Sequence, residues 1–124
     1  MFLPEDLHHA RSREWVESRF DQGIPLVAPT IALPELAGAI ARRSGSVEFG
    51  LRALAAMQRF RRLRVVELGH RLASHSGMLA AELQMKGADS VYAAAADILQ
   101  IPLVSWDRQQ LERAALRVAV LSPD

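Results

Sequence analysis

The chain has 124 residues, which suits one domain with a sizeable core and is short for two ordinary domains. Hydrophobic residues make up 50% of it against 23% charged residues, which excludes a disordered chain, and the formal net charge of +1 argues against a strongly basic nucleic-acid coat. The absence of cysteine excludes disulfides and thiolate metal sites, and no apolar stretch approaches the roughly 20 residues that a membrane span needs. We therefore expect a single cytoplasmic domain over residues 1–124, with no membrane contact.

The first half of the chain alternates helical patterns with short apolar runs. Gly23 marks the end of the first helical stretch, Pro34 occupies a first-turn position of the second, and Ser46 is the expected N-cap of the third. In chain order, the predicted elements are a helix over residues 5–22, a strand over 23–27, helices over 34–43 and 46–60, and a strand over 64–68.

The second half repeats the alternation. Its strand Q-I-P-L-V at 100–104 nearly repeats the earlier G-I-P-L-V at 23–27, and such continuous apolar runs are typical of parallel strands covered on both faces. Four consecutive alanines at 93–96 would let the helix backbone pack close to a sheet. Together these elements predict an α/β domain with a parallel sheet. In chain order, they are helices over 70–86 and 89–99, a strand over 100–104, a short helix after Asp107 and a strand over 117–121.

Three acids share one local setting, at or near a predicted helix N-terminus: Glu35, Asp89 and Asp107. A carboxylate there meets free backbone N–H groups and the positive end of the helix dipole, which typically contributes about 0.3–1 kcal/mol. The run D-R-Q-Q also offers a capping box between Asp107 and Gln110. Taken singly, each acid is explained by helix stabilisation.

Taken together, the same acids favour a metal site. Glu35 and Asp107 both follow strands of the I-P-L-V type, and a parallel sheet brings such strand ends to one edge. Asp89 begins the helix that leads into the second of these strands, so its position is harder to deduce. Converging carboxylates repel one another unless a cation neutralises them. Ligands that are all oxygen suit Mg²⁺ or Mn²⁺ rather than zinc.

The stretches APTIALPELAGAIARR, KGADSVYAAAA, IPLVSWDRQQLER and RVAVLSP, in this order, resemble the PIN domain, particularly its VapC-type toxin branch. The resemblance covers essentially the whole chain and implies a three-layer α/β fold with a parallel sheet flanked by helices. It implies a ribonuclease that uses Mg²⁺ or Mn²⁺ to hydrolyse RNA, an antitoxin partner and a homodimer. In this family, Glu35, Asp89 and Asp107 match acids around the metal, and Ser105 matches a supporting hydroxyl residue.

The start of the chain departs from that family pattern. A PIN domain normally begins with a central strand that carries a further Asp, and residues 1–4 resemble the loop that follows it. We expect this strand and its acid to be missing, either because the reading starts downstream of the true beginning, which we favour, or because the sheet is rearranged, for example by dimerisation. Two alternative functions follow: a PIN-like module that binds protein or RNA without cleavage, and a small α/β binding domain whose three acids are helix caps.

Basic residues near these motifs have two interpretations each. Arg108 could contact substrate phosphate beside Asp107 or pair with Glu112 one turn later, and we favour the ion pair. The run RFRRLR at 59–64 is equally consistent with phosphate contacts to RNA and with a solvated helix end whose cations complement the helix dipole.

Other residues that attract a functional interpretation are assigned structural roles. Trp106 could stack a base but is expected to be buried at the strand end. The histidines lack the i,i+4 spacing of a helical metal pair, so we expect them at the surface. They are His8, His9, His70 and His75.

Overall fold

The computed structural model describes residues 14–15, 17–19, 21–105 and 107–122. Most of the helix predicted over 5–22 lies outside these residues, although the described residues from 14 to 21 are helical. The prediction that the first strand is missing refers to the start of the chain, which also lies outside the described residues. The backbone forms two compact units, which divide between Val65 and Val66. In the described part of the chain, none of the helices has the length and apolar character needed to cross a membrane.

The first unit combines a pair of helices with a pair of strands. The two strands hydrogen-bond to each other, and the two helices pack together. The amide of Leu26 donates to the carbonyl of Arg62 over 3.2 Å at the start of the strand pair. In chain order, the elements are β1 (Leu26–Pro29), α1 (Ala32–Ser44), α2 (Val47–Arg59) and β2 (Leu63–Val66), which ends at the division between the units.

The connection between α1 and α2 is set by local chemistry. α1 ends at Ser44, and its C-cap is Gly45, whose φ of +68° is a left-handed conformation that glycine adopts without strain. Ser46 then caps α2 as predicted, because its Oγ accepts a hydrogen bond from the amide of Phe49 over 3.2 Å. The helices approach closely at Gly50, where an added Cβ would lie 2.8 Å from the carbonyl oxygen of Ala37 and 2.9 Å from the Cβ of Ala41. The sequence Gly45-Ser46 therefore produces a tight helical hairpin.

The second unit is again built from helices and a pair of short strands. The strands are parallel, with Leu103 opposite Val120 and Val104 opposite Leu121. The predicted α/β class with parallel strands is confirmed. In chain order, the elements are α3 (His70–Leu83), α4 (Gly87–Leu99), β3 (Leu103–Val104), α5 (Arg108–Ala114) and β4 (Val120–Leu121).

The core of the second unit is centred on α4. Its alanines, residues 93–96, are all buried, and the helix packs against α3 and also contacts β3. Leu79 of α3 is fully buried, and Ala114 of α5 is buried as well. Because the alanine side chains are short, neighbouring elements approach the α4 backbone closely. The alanine run does allow close packing, but its main neighbour is helix α3 rather than the predicted sheet, of which β3 makes a smaller contact.

Two predicted helix and strand boundaries differ from the structure because glutamine residues adopt left-handed backbone conformations. The helix predicted over 70–86 ends at Leu83, because Gln84 takes a left-handed conformation (φ 53°) and its amide bonds to the carbonyl of Ala80. The strand predicted over 100–104 begins only at Leu103. Gln100 is a second left-handed cap (φ 56°), and the amide of Ile101 still bonds back to α4. Both helices therefore end on glutamine rather than on the glycine that usually signals such a cap.

Two glycine-to-alanine substitutions test the close approach of α1 and α2. Gly50→Ala should lower the free energy of unfolding by about 1–3 kcal/mol, because the new Cβ collides with the backbone and a side chain of α1. The control is Gly77→Ala in α3, where an added Cβ meets nothing within 4 Å, so the better helix propensity of alanine should raise stability by about 0.5–1 kcal/mol. Urea denaturation measures both. Equal effects of the two substitutions would contradict the packing described here.

Candidate functional site

Asp107 lies just after the carboxyl end of β3 and is the N-cap of α5. Its Oδ1 accepts hydrogen bonds from the amides of Gln109 (3.0 Å) and Gln110 (3.2 Å). These are two of the helix N–H groups that have no partner within the helix. The residue is exposed, and no hydrogen bond from the described residues reaches its other oxygen, Oδ2. The predicted capping role is confirmed, and it occupies only one of the two carboxylate oxygens.

Ser105 links the cap to the rest of the helix start. Its Oγ accepts a hydrogen bond from the amide of Asp107 over 2.9 Å and donates one to Oε1 of Gln110 over 2.7 Å. In an ordinary capping box, the side chain at the position of Gln110 would bond directly to the N-cap amide. Here the serine hydroxyl stands between the two groups. This arrangement orients Asp107 through both its backbone and its carboxylate.

Glu35 and Asp89 occupy the first turns of α1 and α4, as the sequence predicts. Both are half-buried. Neither is an N-cap, because those positions belong to Ile31 and Lys86, which make no capping hydrogen bond with their side chains. The interpretation of all three acids as helix caps is therefore confirmed only for Asp107.

The structure brings Ser105 and Asp107 into contact. Glu35 belongs to the first unit, and Asp89, Ser105 and Asp107 belong to the second. Within neither unit do three or more His, Asp or Glu side chains of the described residues form a group that could hold a metal ion. The convergence of Glu35, Asp89 and Asp107 stays a prediction.

Arg108 and Trp106, the two residues next to Asp107, also carry predictions from the sequence. Arg108 is exposed at the first position of α5, and the ion pair that we favoured between it and Glu112 is not formed. Trp106 lies outside the described residues, so its predicted burial stays a prediction. The guanidinium of Arg108 therefore forms no ion pair with the described residues of its own helix.

The second unit contains a polar cluster that was not predicted from the sequence. Nε2 of His75, on α3, lies 2.7 Å from Oδ2 of Asp97, on α4, and both side chains are largely buried, with 21% and 17% exposed. Arg117 extends the cluster, with its Nε 3.6 Å from Asp97 and a terminal nitrogen 3.5 Å from Glu82. The prediction of a surface histidine is wrong for His75. Its partner is 22 residues away on another helix, so no local pattern could have revealed it.

The sequence model of the PIN domain matches residues 2–116. The chain belongs to the PIN domain family. The resemblance noted in the sequence is thereby confirmed over most of the chain, and VapC-type members of this family are generally nucleases. A search of curated proteins finds no match.

Solved structures show the same fold. VapBC2 from Rickettsia felis, crystallised with a DNA fragment from the promoter, matches with a TM-score of 0.71 and 18% identity, over 93% of this chain and 86% of that chain. VapBC-1 from nontypeable Haemophilus influenzae matches with a TM-score of 0.66 and 20% identity, over 89% of this chain and 85% of that chain. At these identities, the likeness establishes a shared fold, and it is the fold expected of a VapC-type PIN domain.

Substitutions at Asp107 separate its capping role from its charge. Asp107→Ala should lower the free energy of unfolding by about 1 kcal/mol, because two amides of α5 lose their acceptor. Asp107→Asn keeps an acceptor oxygen and should cost only about 0.3 kcal/mol through the lost charge. Urea denaturation of both variants checks this difference. Equal losses would show that the hydrogen bonds of the cap contribute nothing measurable.

The polar cluster should matter to stability. Asp97→Ala is expected to lower the free energy of unfolding by about 1–3 kcal/mol, because largely buried His75 loses its hydrogen-bond partner and Arg117 loses one of its two carboxylate contacts. The control is Glu82→Ala, whose exposed contact with the same arginine should be worth less than about 0.5 kcal/mol. Thermal or urea denaturation of the two variants gives the comparison. A control as damaging as Asp97→Ala would contradict the assignment.

Proposed function

We propose that the chain is a metal-dependent endoribonuclease that hydrolyses RNA phosphodiester bonds, and that it acts in the cytoplasm as the toxin of a type II toxin–antitoxin pair. Membership of the PIN domain family supports nuclease chemistry. The similarity in fold to VapBC structures supports the toxin assignment. Glu35, Asp89 and Asp107 are the proposed metal ligands and water-activating acids, and Ser105 positions Asp107.

The observation that carries the proposal is the state of the Asp107 carboxylate. Two helix amides donate to Oδ1, and the backbone amide of Asp107 itself donates to the hydroxyl of Ser105. These hydrogen bonds restrain the direction of the carboxyl group. Oδ2 accepts no hydrogen bond from the described residues and belongs to an exposed side chain at the end of a parallel strand. Ligands of α/β folds bind in this region, beyond the carboxyl ends of the strands.

Chain geometry supports the participation of Asp89. The helix rise from Asp89 to Gln100 is about 16 Å, and the six peptide units from Ile101 to Asp107 can span up to about 20 Å when extended. The chain reverses at the left-handed Gln100, and β3 packs against α4. The return path is therefore long enough for Asp107 to reach the level of Asp89.

The donor set fits a hard divalent cation. Glu35, Asp89 and Asp107 offer only carboxylate oxygens, which Mg²⁺ and Mn²⁺ accept readily. When bound, such an ion supplies charge stabilisation for the phosphate and assists the attacking water. The protein's own contribution is to place the acids, to take up the proton of the water on a carboxylate, and to leave Arg108 available for a phosphate oxygen.

The same proposal assigns the partners. The antitoxin would be a protein with a segment that covers the acidic site, and the chain would assemble as a homodimer. The VapBC structures support the antitoxin partner because they share the fold. Co-purification with the product of the neighbouring gene and the measured mass of the complex are the direct checks.

Cleavage of RNA provides the test. With Mg²⁺ or Mn²⁺ the chain should cleave single-stranded RNA, and Asp107→Asn should reduce the rate more than about 100-fold while keeping the helix cap. Ser105→Ala should cost about 10- to 100-fold, because it acts through the orientation of Asp107. Rates are measured with an end-labelled RNA.

Glu112→Gln is the matched control, since it removes one exposed carboxylate from the same helix and should leave the rate unchanged. Full activity in Asp107→Asn would remove this residue from the mechanism. If Mn²⁺ calorimetry shows no binding and no RNA is cut, the non-catalytic PIN-like module becomes the better description.

A further inference from the structure

Positive charge is concentrated in one segment of the first unit. Residues 36–65 contain seven arginines and one acid, Glu48, which gives this segment a formal charge of +6 in a chain whose total is +1. That single acid is already paired, because Oε1 of Glu48 lies 2.6 Å from Arg52 within α2. The segment contains no second acid.

Four of these arginines lie where α2 ends and β2 begins. Arg59 is in the last turn of the helix, and all four are exposed. Arg59, Arg61 and Arg64 form no ion pair with any described residue. Two arginines of the second unit differ from these, since Arg117 contacts two acids and Arg113 donates to the carbonyl of Gln84. The whole run is Arg59, Arg61, Arg62 and Arg64.

An aromatic ring stands inside the basic run. Phe60 is 46% exposed although it is a large apolar residue. Its backbone is fixed on both sides, because its amide donates to the carbonyl of Met57 and its carbonyl accepts from the amide of Leu63, each over 3.2 Å. The turn therefore presents a partly exposed aromatic ring between Arg59 and Arg61.

We propose that the turn Arg59–Arg62, which we call the RFRR turn, binds single-stranded RNA, with arginines on the phosphates and Phe60 stacked on a base. Arginine forks suit phosphate oxygens, and an exposed ring beside them can stack any base of an unpaired strand. An acidic protein segment would use the charges but would gain less from the ring. The choice of RNA rests on the proposed function, whereas the binding itself is independent of the acids.

Binding is measured by fluorescence anisotropy with a labelled single-stranded 12-nucleotide RNA, in EDTA so that no cleavage occurs. Phe60→Ala should weaken binding by roughly 5- to 150-fold, the loss of one stacked base, and Phe60→Trp should restore it. The matched control is Phe49→Ala. That ring is 52% exposed at the other end of α2, about 16 Å away along the helix, and should have no effect. Circular dichroism verifies the folding of each variant.

The arginines are tested through salt dependence. For single strands, each phosphate contact contributes about 0.7 to the slope of log affinity against log salt, so Arg59→Ala with Arg61→Ala should lower the slope by about 1.4. Arg43→Ala is the control, because this exposed arginine lies in the last turn of α1, next to the start of α2 and away from the RFRR turn. An unchanged slope in the double variant would overturn the phosphate contacts.

The remaining outcomes separate this inference from the proposed nuclease. If RNA binds as described but is never cut, the RFRR turn stands and the nuclease proposal falls. If RNA is cut while Phe60→Ala and Phe60→Trp both bind like the wild type, the RFRR turn is wrong. Tighter binding of poly-glutamate than of the RNA by the wild type would identify an acidic protein segment as the ligand and would also overturn it.

Discussion

The rest of the structure depends on one constraint: the strands are too short to be stable without the helices. β3 and β4 contain two residues each and β1 and β2 four, and isolated two-stranded pairs of this kind are marginal in water. Stability therefore has to come from the helices. Gly50 lets α2 approach α1, and the buried alanines of α4 let α3 and β3 pack against that helix. Small side chains in both units thus support the strand ends where the proposed chemistry is located.

The geometry of Asp107 is compatible with both its helix cap and the metal-ligand role proposed for it. Capping uses Oδ1, whereas Oδ2 accepts no hydrogen bond from the described residues. The hydroxyl of Ser105, which bonds to both the Asp107 amide and the Gln110 side chain, restrains the same residue from the other side. Helix stabilisation therefore orients the carboxylate that the proposed nuclease needs, and the structural and functional interpretations support each other.

Charge is distributed unevenly for a chain that is almost neutral overall. In the second unit, Arg117 is held by Asp97 and Glu82, so its charge is used within the fold. In the first unit, the arginines of the RFRR turn are exposed and surround a partly exposed ring. A net charge of +1 excluded a uniformly basic surface, but it says nothing about a local concentration of arginines.

Local features of this protein were determined by the sequence alone. These features depend on residues that are near neighbours in the sequence, so short patterns revealed them. They are the helix starts at Ser46 and Asp107, the alternation of helices and parallel strands, and the family motifs. Only the tertiary structure decided the remainder. The contact of His75 with Asp97 and the close approach at Gly50 arise from packing between separate helices. The left-handed caps at Gln84 and Gln100 are backbone conformations that no glycine marks in the sequence. The proposed convergence of Glu35 with Asp89 and Asp107 depends on long-range packing of the same kind, because a long stretch of sequence separates Glu35 from the other two acids.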